Sequence, residues 1–219
     1  MISKKKILVL AAHPDDETFG CGATIAKLSQ KNNIYLLTFT DGVSSRKVSH
    51  SKNRNHKLSK VCKILNIKSF DYGDFPDNKL DSVPLLDLCK FIEKKIDFEP
   101  DIIFTHHPEC LNIDHTTIYR ATITVFRPQK KISSDIISYV VPSSIEYNSF
   151  KNLNYNLYFD VKSTYQKKIK ACEEYKMELR KYPHPRSVKS MINQMKVNGS
   201  EVGLEYAEKF QIIRKKNIW

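Results

Sequence analysis

Ile7-Leu8-Val9-Leu10-Ala11-Ala12-His13-Pro14-Asp15-Asp16-Glu17 runs without a spacer from an apolar stretch into a proline and three acids. Ile7–Ala11 reads as a short strand, and a helical pattern over Ala23–Lys31 follows it. The same alternation continues outward. Ile34–Thr40 is a second strand, closed by the Asp41-Gly42 turn signal. Lys52–Leu65 puts Leu58, Val61, Cys62 and Leu65 on one helical face. Ser69–Tyr72 reads as a strand, Pro84–Ile96 as a helix opened by proline, Asp101–Thr105 as a strand and His115–Phe126 as a helix. Strands separated by helices and short loops predict βαβ units and a mainly parallel sheet.

After Pro128 the pattern changes. Ile136–Val141 and Asn156–Val161 read as strands, and from Thr164 the chain is charged and mostly helical. Pro183-His184-Pro185 breaks that run before Arg186–Val197 and Glu205–Ile213 resume it. The expectation is one α/β domain over residues 1–219. It has a Rossmann-like core (1–128) flanked by helices and a C-terminal strand-plus-helix extension (129–219).

The 219 residues include 36 Lys+Arg against 24 Asp+Glu, a formal charge of +12, with a pI near 9.4. Such an excess of base invites a nucleic-acid reading. The cations are 29 lysines and 7 arginines spread over the whole length. Arginine is the residue of bidentate phosphate and base recognition, so this charge suits a smaller anionic substrate equally well. The apolar run Ile7–Ala12 is too short for the core of a signal peptide, and no window approaches the roughly 18 apolar residues of a membrane helix. Five cysteines without C-x-x-C spacing disfavour both a disulfide framework and a thiolate zinc site. A reduced, cytoplasmic protein is expected.

Two segments concentrate chemistry: His13-Pro14-Asp15-Asp16-Glu17 and Asn112-Ile113-Asp114-His115. Each comes just after a strand and just before a helix, and in a parallel sheet such positions share the carboxyl edge where ligands gather. Two imidazoles and three carboxylates suit a divalent metal with nitrogen and oxygen ligands. The competing reading of the first segment is helix capping by its acids. A second histidine-bearing loop in the same topological position favours the metal. Pro14 stiffens the turn so that His13 and Asp16 face one centre, with Asp15 pointing towards the reacting water. An ion held by three protein groups activates water near neutral pH, and a carboxylate beside it serves as general base. Hydrolysis of an amide is the natural reaction class.

At these residues the sequence resembles the PIG-L/LmbE-like family of zinc-dependent N-deacetylases. AAHPDDETFGCG (Ala11–Gly22) matches its A-H-P-D-D-E signature, and THHPECLNIDH (Thr105–His115) matches T-H-x-P-x-D-L-x-x-D-H. YGDFPDNKLD, VVPSSIEYN, EYKMELRKYPHPRS and GSEVGLEYAEKF resemble the bacterial branch that acts on sugar precursors of surface polysaccharides. The resemblance implies a Rossmann-like fold, one Zn²⁺ held by His13, Asp16 and His115, Asp15 as general base, and Asp114 as a carboxylate orienting the site from behind. It implies an N-acetylated amino sugar as substrate, often on a nucleotide, lipid or inositol carrier, and a homo-oligomer. Two departures matter. Asn112 stands where some members have histidine, so it can donate a hydrogen bond but carries no charge. Cys110 stands where the family has aspartate.

Further candidates surround these blocks. Arg54 and Arg186 are placed to pair with a substrate phosphate, Asp77 to accept bonds from sugar hydroxyls, Asn112 to bind an oxyanion, and His184 to close over the substrate within Pro183–Ser187. Their competing readings are a solvated helical arginine, an Asp-Asn turn and a helix break. His106 suits a supporting contact. His106, His107 and Cys110 also form an H-H-x-x-C cluster, a rival site for a soft metal. The expected function is hydrolysis of the N-acetyl group of an amino sugar, with release of acetate. The alternatives are hydrolysis of another amide or a thiol conjugate, and a basic nucleic-acid-binding protein.

Overall fold

The computed structural model describes residues 2–42, 51–128, 134–149 and 153–216, and for 51–55 the backbone alone. Seven strands form one sheet: β1 (Lys6–Ala11), β2 (Asn33–Thr40), β3 (Ser69–Phe75), β4 (Ile102–His106), β5 (Asp135–Tyr139), β6 (Leu157–Asp160) and β7 (Ala207–Arg214). The helices are α1 (Asp16–Leu28), α2 (Ser51–Leu65), α3 (Leu85–Lys95), α4 (Ile113–Val125), α5 (Tyr165–Glu174) and α6 (Val188–Ser200). The strand order is β3-β2-β1-β4-β5-β7-β6. The first five strands run parallel, while β7 is antiparallel to both β5 and β6.

Strand β1 shows why both faces are covered. Its side chains point alternately to opposite faces, and the two faces carry separate cores. Ile7, Val9 and Ala11 pack in one cluster with Phe19, Ile25, Leu58, Val61 and Tyr175. Leu8, Leu10 and Ala12 pack in the other with Leu88, Ile92, Ile118 and Ala121. Thus α1, α2 and α5 lie on one side and α3 and α4 on the other. With no water on either face, the strand carries an unbroken apolar run instead of an alternation.

Two expectations are corrected. Glu205–Ile213, read as helical, is strand β7 over Ala207–Arg214. Its Glu and Lys suit a helix, but the exposed side of β5 offers backbone pairing, and Phe210, Ile212 and Ile213 suit a strand. The first helix begins at Asp16, not Ala23, because it continues across a break. Cys21 has φ −141° and ψ 21° between Gly20 and Gly22. A break of this kind strands backbone groups that a helix would pair. Side chains from the C-terminal part satisfy them. Glu208 accepts from the Thr24 N–H at 2.7 Å and from the Ala23 N–H at 3.3 Å. The Lys168 ammonium donates to the Phe19 carbonyl at 2.8 Å and to Glu208 at 2.6 Å. A buried ion pair therefore splices the helix that carries Asp16. Gly20 is required here for a further reason: a Cβ on it would lie 2.3 Å from the Tyr139 ring.

Candidate metal centre and active site

The strand order reverses direction at β1 and β4, the position where open α/β sheets hold their ligands. The loop leaving β1 carries His13, Asp15 and Asp16, and α4, entered from the loop after β4, carries Asp114 and His115 at its start. All five are at most 7% exposed. His13 Nδ1 lies 3.1 Å from Asp16 Oδ2, and His115 Nε2 lies 3.3 Å from Asp16 Oδ1. On its other side His13 Nε2 is 2.9 Å from Asp114 Oδ2 and 3.3 Å from Asp77 Oδ1. Two groups of metal-competent donors are present among the described residues, His13–Asp16–His115 and His13–Asp77–Asp114. They meet at His13, one on each ring nitrogen.

Asp114 is anchored from the loop after β3. It accepts from the backbone N–H groups of Asn78 and Leu80 at 2.7 and 2.9 Å. Its position against His13 Nε2 is that of the carboxylate that orients a ligating histidine from behind. That leaves Nδ1, beside Asp16, for an ion.

The charge balance of the cluster favours a cation. Asp15, Asp16, Glu17, Asp77 and Asp114 are all buried. Burial by itself lowers the pKa of a histidine, yet Asp16 and its neighbours raise His13 to about 10 and His115 to about 9. Burial raises the Asp16 carboxyl, but His115 and His13 outweigh it and hold it well below the usual range. His106 is the exception: burial and the neighbouring His115 push it well down, so it is neutral. It stacks on His115 with centroids 3.9 Å apart, and its Nε2 accepts the Ala12 N–H at 2.9 Å.

The residues fit a zinc ion on two observations. His115 Nε2 is buried and has no hydrogen bond among the described residues, a costly arrangement unless a ligand engages it. The donor set is also apt: two imidazoles and a carboxylate are ordinary zinc ligands, and one atom from each lies within 4.8 Å of the others.

Asp15 does not cap the helix through its side chain, although it is the N-terminal cap residue of α1 by position. Its φ of 139° is far outside the range that non-glycine residues favour, and such strain persists at functional sites when the surroundings enforce it. Glu17 supplies the restraint. Its Oε2 accepts the Asp15 N–H at 3.0 Å, while Oε1 accepts from Thr18 and Tyr175. Burial pushes the Glu17 carboxyl up to about 7. The sequence signalled an acid at position 17 without revealing this bracing role.

Other expected residues sit differently. Asp77 is not at an open rim but is 2% exposed and against His13. Asn112 caps α4, its Oδ1 accepting the Asp114 N–H at 2.9 Å. Arg186 donates to the Pro142 carbonyl, pairs with Glu178 at 3.5 Å and lies over the Phe19 ring. The His184 Nδ1 accepts the Arg186 N–H. The Arg54 side chain lies outside the described residues. His107 bonds Gln211 through Nε2 and accepts the Glu109 N–H through Nδ1, so the rival H-H-x-x-C cluster does not converge.

The sheet, with a buried His/Asp/His cluster at the carboxyl ends of β1 and β4, has the fold of the LmbE-like deacetylase structures. Residues 8–126, more than half of the chain, match the PIG-L family, GlcNAc-PI de-N-acetylase, and the chain belongs to that family. It is 31% identical over 157 residues to the uncharacterized deacetylase YaiS of Escherichia coli K12, covering 64% of this chain and 76% of that protein. The N,N'-diacetylchitobiose deacetylase of Pyrococcus horikoshii has a similar structure, with a TM-score of 0.74 at 21% identity, covering 95% of this chain and 84% of that one. So does GalB, the 4-carboxy-2-hydroxymuconate hydratase of Pseudomonas putida KT2440, with a TM-score of 0.72 at 17% identity and 98% of each chain covered. Likeness at that distance speaks for the fold, and the reaction has to be argued from the site.

Proposed function

We propose that this chain is a zinc-dependent N-deacetylase that removes the acetyl group from an amino sugar. The observation that carries the reading is the buried convergence of His13 Nδ1, the Asp16 carboxylate and the bare His115 Nε2 beside a strained Asp15. His13, Asp16 and His115 would hold the ion. When bound it supplies Lewis acidity to the amide carbonyl and to the attacking water. Asp15 takes a proton from that water as its oxygen bonds to the acetyl carbon. The same carboxyl returns the proton to the leaving nitrogen as the C–N bond breaks, giving acetate and a free amine. Asp114 holds the His13 ring and Glu17 holds the Asp15 backbone, so both groups keep their aim through the cycle.

The substrate class follows the family and the deacetylase of similar fold. An anionic carrier follows from the +12 charge, and the Arg186 guanidinium, occupied within the protein, is not the group that meets it.

The test is acetate release from a panel of N-acetylated sugars, nucleotide-linked and neutral, by the zinc-reconstituted protein. The expected result is acetate and free amine in equal amounts, near one zinc per chain, and loss of turnover on chelation. Rising salt should slow the charged substrates and leave the neutral ones nearly unchanged. A chain that binds no zinc, or turnover undiminished after chelation, rules the reading out.

A further inference from the structure

His13 and His115 flank Asp16, yet different groups stand behind them. Behind His13 is the Asp114 carboxylate. Behind His115 is a cysteine: Cys110 Sγ lies 3.1 Å from His115 Nδ1, and both residues are buried. The same sulfur lies 3.6 Å from the Ser144 carbonyl oxygen. A carbonyl only accepts, so the thiol hydrogen goes to Ser144 and a sulfur lone pair faces the ring. Nδ1 then carries the imidazole hydrogen and donates it to sulfur. Nε2 is thereby the nitrogen left for an ion, the buried atom that has no hydrogen bond among the described residues and sits 3.3 Å from Asp16 Oδ1.

We propose that Cys110 is the positioning residue of His115: an uncharged N–H···S–H···O=C relay to Ser144 aims Nε2 at the metal and sets a weaker metal affinity than a carboxylate at position 110 gives. The inference rests on the metal reading above. Its chemistry is direct. Sulfur is a weak acceptor, whereas a carboxylate behind a ligating histidine raises the basicity of the ring. The pocket is therefore asymmetric, with one imidazole backed by a charge and the other by a neutral thiol.

Zinc affinity, measured by chelator competition on the full chain, tests it with Cys110→Ala, Cys110→Ser, Cys110→Asp and His115→Ala. Removing the support of a ligating histidine costs about 10–100-fold in affinity, so Cys110→Ala is expected to weaken zinc by about tenfold or more. Cys110→Ser retains a donor and acceptor and stays within about threefold of the parent, while Cys110→Asp tightens binding by about tenfold. Nitrogen-15 NMR of the zinc-loaded parent should show His115 metallated at Nε2 and protonated at Nδ1, a signature that a packing role would not produce. Zinc binding within about twofold of the parent in both Cys110→Ala and Cys110→Asp overturns the proposal, as does metallation at Nδ1. Unchanged melting of the metal-free variants separates positioning from folding, and Cys110→Ala and Cys110→Ser carry the test if Cys110→Asp does not fold. Zinc binding that is absent in the parent or unaffected in His115→Ala removes the metal reading itself, and this inference with it.

Discussion

The first 128 residues and the remainder use the same side-chain types for opposite ends. In the first part Asp16 stands between His13 and His115, and the His115 Nε2 facing it is buried without a hydrogen bond. In the second part Glu208 is equally buried, but its oxygens accept from two backbone N–H groups and from Lys168. A satisfied buried acid is a strut. A buried acid beside a donor atom left unused is a place for a ligand. The segments after β5 supply no residue of either donor group; they hold α1 and the loop before it in place.

The largest effect that would sharpen this contrast is at Asp15. Asp15→Asn is expected to lower the acetate-release rate by about 10²–10⁴-fold, the typical worth of a general acid–base group, with zinc content unchanged. Full activity in that variant would take the base role away from Asp15. The struts should act on stability instead. Glu208→Gln or Lys168→Met leaves one buried charge without its partner and should cost about 3–5 kcal/mol in chemical denaturation. The double variant Lys168→Met/Glu208→Gln, which keeps an acceptor for the Ala23 and Thr24 N–H groups, should be less destabilised than the sum of the two single ones. Additive losses would show that the two residues do not act as a pair.

Gly20→Ala comes next. The Tyr139 ring occupies the space its Cβ needs, and overpacking of this kind costs about 1–3 kcal/mol. A melting temperature equal to the parent's would mean that the ring moves freely.

The smallest effect belongs to the exposed pair Asp71–Lys95, 2.8 Å apart. Partial burial raises the Asp71 carboxyl, but the Lys95 and Tyr72 hydrogen bonds and the Lys95 charge lower it further, so its net pKa is below the usual value. The stability it contributes is present above the unfolded pKa, near 4, and is lost as pH falls through the folded value. Asp71→Asn should therefore flatten the acid limb of the stability profile by less than about 1 kcal/mol, and less again in high salt. A difference persisting at neutral pH and high salt would point to packing rather than charge.

The strand-and-helix alternation was legible because a parallel strand covered on both faces must be apolar throughout, as Ile7–Ala11 is. The two loops were legible because residues leaving such strands share one edge of the sheet. β7 was not: Glu205–Lys209 favours a helix locally, and only the open side of β5 turns the segment into a strand. Nor was the break at Cys21, whose stranded N–H groups are satisfied by Glu208, 184 and 185 positions away in sequence. Asp77 read as a loop residue accepting bonds from sugar hydroxyls, and it is buried against His13 because Asp114 draws the following residues, Asn78 and Leu80, onto its oxygens. Sequence by itself determined which residue types meet at the carboxyl edge of the sheet, since strand direction and loop position follow from periodicity. Tertiary structure alone decided which nitrogen of each histidine faces Asp16 and which acid braces the Asp15 backbone, because those choices are made by contacts with segments remote in the chain.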